Sequence, residues 1–127
     1  MCSQEPYPIM VHVHRVKNDQ GTIKVKLYGD KAKDFLMTGK KLDARRVPAK
    51  KELTELCVHA PHPGSYALVV HHDENGNKKL DRNWAGLPTE GYGFSNNPKL
   101  VLGPPSHHEV IFKTKEGITH IHVDLKY

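Results

Sequence analysis

Short runs in which apolar and polar residues strictly alternate, each closed by turn-forming residues, constrain this chain more than any other feature. Ile9, Val11 and Val13 alternate with Met10, His12 and His14, and Ile23, Val25 and Leu27 alternate with Lys24, Lys26 and Tyr28. A period of two puts one set on each face of a β-strand. Asn18-Asp19-Gln20-Gly21 between the two runs reads as the turn of a hairpin with one buried face. Leu53, Leu56 and Val58 lead to the turn Pro61-His62-Pro63-Gly64, and Tyr66 to His72 is rich in strand formers and reads as a central strand. Glu109 to Lys113 and Ile118 to Leu125 flank Lys115-Glu116-Gly117 and read as a second hairpin. Residues 30–51 are basic and irregular and are expected to form a loop, with at most one helical turn at Lys33 to Met37. Leu87 to Asn97, interrupted by Pro88, Gly91 and Gly93, reads as a structured loop. No segment of helical length carries a 3.6-residue period. The expectation is an all-β sandwich of immunoglobulin-like or prealbumin-like type with about seven strands, residues 9–127 forming one domain behind a flexible tail, residues 1–8.

Composition narrows the function classes. Nineteen Lys and Arg against fourteen Asp and Glu give a net charge of +5, but the lysines are spread along the chain rather than gathered in a stripe, which argues against a nucleic-acid surface. No apolar run is long enough to cross a bilayer as a helix, so no transmembrane segment is expected. The absence of a signal segment leaves a cytosolic protein or an exported one written in mature form. Cys2 and Cys57 allow one disulfide, which spacing alone leaves open. Ten histidines in 127 residues direct attention to metal or proton chemistry.

Two sets of residues have ligand spacing. Asp73, Asn75, Asn77, Lys79 and Asp81 fall at relative positions 1, 3, 5, 7 and 9 of a calcium-type loop, four side-chain oxygens and the Lys79 carbonyl. Lys78 stands where the sharp turn ordinarily has glycine, and only two of the ligands are charged, so a turn that caps its own amides is the competing reading. His12 and His14 share one face of the first strand, and His120 and His122 one face of the last. If those strands are neighbours, four outward imidazoles come within reach of one copper or zinc ion. The competing reading is two polar strand faces.

Catalytic patterns are absent: there is no Gly-x-Ser-x-Gly, no phosphate loop and no His-Glu-x-x-His. Cys57 has only His59 beside it, and Glu90 with His107 or His108 is the sole carboxylate–imidazole combination to suggest a cleft enzyme. A non-enzymatic binding module is therefore expected, with a protein or small ligand as its partner.

The run Asp73-Glu74-Asn75-Gly76-Asn77-Lys78-Lys79-Leu80-Asp81, the segment Gly86-Leu87-Pro88-Thr89-Glu90-Gly91-Tyr92-Gly93-Phe94-Ser95-Asn96-Asn97 and Gly103-Pro104-Pro105-Ser106 closely resemble the bacterial family called domain of unknown function 2141. The likeness covers nearly the whole chain, including Pro63 to Ala67. It implies an exported β-sandwich domain, periplasmic or secreted, in which Cys2 lies near a processing or lipidation site. It implies no activity. Lys78 departs from the family's glycine, and His12, His14, His120 and His122 replace its small polar residues. Tyr92, Phe94, Asn96 and Asn97 are the candidates for a ligand surface, with aromatic lids and asparagine caps on a loop whose glycines permit positive φ.

Overall fold

The computed structural model describes residues 7–75, 90–99 and 104–127. Among the described residues eight strands form two sheets: β1 (Pro8–Val16), β2 (Thr22–Tyr28), β3 (Asp43–Pro48), β4 (Glu52–His59), β5 (Ser65–Asp73), β6 (Tyr92–Phe94), β7 (Phe112–Lys113) and β8 (Thr119–Asp124). The first sheet has the order β4-β1-β8. The second has the order β3-β2-β5-β6, with β7 also on β5. A 3-10 turn at Ala32–Asp34 and a single helical turn, α1 (His107–Val110), are the other regular elements among the described residues. The all-β sandwich expected from alternation is what the chain forms.

The main core lies between the sheets. Ile9, Val11 and Val13 of β1 face Ile23, Val25 and Leu27 of β2, and all six are fully buried, with Val58, Leu68, Val70 and Val123. Burying each such side chain contributes about 1.5–3 kcal/mol. A smaller cluster covers the outer face of the second sheet, where Tyr28, Ala67, Phe94 and Val110 meet Phe35 and Tyr92.

Neither expected hairpin forms. β1 and β2 lie in different sheets, and so do β7 and β8. Each turn arches across the sandwich instead of joining neighbours. The physical reason is that alternation specifies which face of a strand is buried, not which strand it pairs with; two strands with apolar inner faces are equally served by facing each other across the core. The loop expected over residues 30–51 is also corrected. β3 occupies part of it, pairing antiparallel with β2 from Thr22↔Pro48 to Leu27↔Asp43. Its sequence Asp43-Ala44-Arg45-Arg46-Val47-Pro48 carries no alternation, because an edge strand held by backbone bonds needs little apolar side chain. Within Glu109 to Lys113, only Phe112 and Lys113 are strand, since α1 takes Glu109 and Val110 and Ile111 caps it.

The Asn18 to Gly21 arch is fastened to the end of β5. Gly21 has φ +68°, and a Cβ there would lie 1.9 Å from the Asp73 carbonyl oxygen. His72, fully buried on β5, donates from Nε2 to the Gln20 carbonyl at 2.7 Å and accepts at Nδ1 from the Tyr127 hydroxyl at 2.6 Å. The Tyr127 oxygen in turn accepts the Lys17 N–H at 2.9 Å. Burial raises the Tyr127 pKa above its ordinary value, which keeps the hydroxyl a donor. Tyr127→Phe should therefore cost about 1–3 kcal/mol in urea unfolding, because a buried imidazole nitrogen and an amide lose their shared partner.

Candidate metal centre

β1 is the middle strand of its sheet. It pairs antiparallel with β4 on one side and parallel with β8 on the other, with His12 opposite both Glu55 and His122. The parallel register places the two His-x-His pairs side by side on the outward face, while Ile9, Val11, Val13 and Val123 point into the core.

The four imidazoles form a continuous stack that alternates between strands in the order His120, His12, His122, His14. Ring centroids are 5.1 Å apart for His12 and His120, 4.5 Å for His12 and His122, and 5.1 Å for His14 and His122, with the planes within 20° of parallel. Two nitrogen pairs close within the stack. His12 Nε2 and His120 Nδ1 are 2.8 Å apart, as are His14 Nε2 and His122 Nδ1. Glu55 is hydrogen-bonded to His12 Nδ1. A carboxylate only accepts, so His12 donates from Nδ1 to Glu55, which leaves Nε2 of the neutral ring as the acceptor toward His120 Nδ1. Glu55 thereby orients His12 as carboxylates orient metal-binding imidazoles, a support that the sequence did not reveal.

Two imidazole nitrogens on one Zn²⁺ or Cu²⁺ are about 3 Å apart, given metal–nitrogen distances of about 2.0–2.1 Å. Each pair needs to open by only a few tenths of an ångström for an ion to replace its shared proton. The four rings thus offer two nitrogen pairs and not a cage of four.

The His122 imidazole lies below its ordinary pKa of 6.5, because its surroundings strip water from it and because His12, His14 and His120 repel its proton; Asp124 opposes the shift. A base whose pKa is lowered by folding is protonated more readily when unfolded. Its stabilisation is complete above about pH 6.5 and is lost as the pH falls from there through the lowered value. Urea midpoints of the native chain should hold from about pH 8 to 7 and fall below about 6.5, and His122→Thr should flatten that fall.

Of the calcium-type loop, Asn77, Lys79 and Asp81 lie outside the described residues, as do Cys2 and Lys78. Asn75 is exposed, and Asp73 is fully buried with Oδ2 3.2 Å from Arg46 Nη1. Cys57 is buried on β4 and disulfide-bonded. Phe94 is buried within β6, and Tyr92 meets it edge-on at 6.3 Å. Asn96 and Asn97, rather than Gly91 and Gly93, hold the positive φ values of that segment. Asn96 Nδ2 donates to the Ile111 carbonyl, and Asn97 Oδ1 accepts the Asp124 N–H at 2.8 Å. Gly91 and Gly93 serve close approach: a Cβ on them would strike the Tyr127 ring and Val123 at 2.5 and 2.7 Å. A half-open cleft of about 460 Å³ borders Phe94 and Asn97, with Arg15, Lys99 and Tyr127 on its walls. Glu90 pairs with His71 at 3.0 Å, whereas His107 donates to the Gly29 carbonyl, so these two are engaged with different partners.

Among the described residues no helix is long and apolar enough to cross a membrane. No curated protein matches the chain, and no solved structure does. Residues 11–122 match the model of a family described as an uncharacterized protein conserved in bacteria, DUF2141, and the chain belongs to that family.

Proposed function

We propose that this chain is a non-catalytic, exported binding module whose ligand is a transition-metal ion, Cu²⁺ or Zn²⁺, captured on the outer face of β1 and β8 by His12, His14, His120 and His122. One observation carries the reading: the two nitrogen pairs at 2.8 Å, built by the parallel register of the first and last strands. Imidazole suits these ions and suits Ca²⁺ poorly. The sites lie at the surface and leave coordination positions open, which fits uptake and handing-on rather than a permanent structural ion. A disulfide-bonded Cys57 fits an oxidising compartment, in keeping with a periplasmic or secreted address. The Tyr92 to Asn97 segment supports the stack from the side, since Asn97 holds the backbone of β8 at His122 and Asp124.

Calorimetric titration tests the proposal. Cu²⁺ added to the full chain should give saturable heat with one ion per nitrogen pair, and Ca²⁺ should give none at those residues. A flat Cu²⁺ titration at pH 7.5 overturns it.

A further inference from the structure

The outer face of the second sheet holds another set of donors, whereas the imidazole stack lies on the first sheet. His71 and Asp73 are two residues apart on β5 and share a face, and Glu90 lies next to β6, whose Tyr92 is paired with His71. One ligand atom from each of His71, Asp73 and Glu90 lies within 4.8 Å of the other two. Asp73 is 0% exposed and Glu90 5%. We propose that His71, Asp73 and Glu90 form a second divalent-metal site, one that takes Mn²⁺ or Zn²⁺ in preference to Ca²⁺.

Three features support it. The donor set is mixed, one imidazole nitrogen and two carboxylates, which suits first-row ions of intermediate hardness, whereas Ca²⁺ takes oxygen alone. His71 Nε2 and Glu90 Oε1 are already 3.0 Å apart, about the separation of neighbouring ligands around an ion at roughly 2.1 Å. The ligands are also held from behind. Glu90 Oε2 accepts the Glu74 N–H at 3.0 Å, and Arg46 Nη1 donates to both Asp73 Oδ2 and Thr22 Oγ1. Metal ligands fixed in this way need little rearrangement on binding.

The test is Mn²⁺ binding to the full chain, read from the loss of the free-ion electron paramagnetic resonance signal. The native protein and His12→Ala/His122→Ala should deplete the signal equally, Zn²⁺ should restore it, and a tenfold excess of Ca²⁺ should not. Glu90→Gln, which keeps the shape of the side chain, and His71→Ala should each weaken uptake at least tenfold, with urea midpoints confirming that each variant is folded. Should one of the two fail to fold, the other decides. Undiminished Mn²⁺ signal with the native chain overturns the site, as does uptake that survives in the folded variant. Loss of uptake in the double histidine variant would assign the ion to the stack and equally overturn it.

Discussion

Replacing Gly21 by alanine is expected to lower the unfolding free energy by at least about 3 kcal/mol and the melting temperature by about 10 °C or more. Two costs add. The residue sits at φ +68°, where an L side chain is strained, and the new Cβ would fall 1.9 Å from the Asp73 carbonyl oxygen, a backbone atom that can move only if β5 moves. The arch would then lift from the sandwich, carrying the Gln20 carbonyl away from the buried His72 Nε2 and the Gly21 carbonyl away from the Ala49 N–H. Gly39 supplies the control. It has φ +80°, and a Cβ added there would meet nothing within 4 Å, so Gly39→Ala should cost only about 1 kcal/mol, the strain alone. Urea unfolding of the two variants measures the difference.

The double variant His12→Ala/His122→Ala is expected to weaken Cu²⁺ binding at the stack by at least about 100-fold, near 2.7 kcal/mol, because it removes one nitrogen from each pair. His12→Ala alone should behave differently. It breaks the His12–His120 pair and frees Glu55 but leaves His14 and His122 at 2.8 Å, so it should halve the capacity of the stack and leave the affinity of the other pair nearly intact. All four rings lie on the solvent side of the sheet, so stability should change by less than about 1 kcal/mol. Copper titration of the three proteins, with urea unfolding beside it, checks both halves of the prediction.

The inner faces of the strands were legible from sequence alone, because alternation at Ile9, Val11 and Val13 or at Ile23, Val25 and Leu27 reports burial directly. The sheet to which each strand belongs was not. An arch and a hairpin use the same turn residues, and what separates them here is long-range: the His72 bond to Gln20, and a β5 that claims β2 as its neighbour. The outward placement of the four histidines could be read from sequence, and their meeting depended on one topological condition, that β1 and β8 pair. Glu55 could not be found this way, since it sits on β4 and becomes a neighbour of His12 only through the antiparallel register. His72 likewise gives no local sign that it is a buried strut, and the cluster of His71 and Asp73 with Glu90 joins residues whose nearness is set by the pairing of β5 with β6.

X-ray absorption at the copper edge of the Cu²⁺-loaded chain shows whether the imidazole pairs on β1 and β8 hold the ion. Ring scattering from two imidazoles for each copper is expected, reduced when His12 and His122 are both alanine. A copper shell of oxygen donors without imidazole, or a spectrum that the double substitution leaves unchanged, would contradict it.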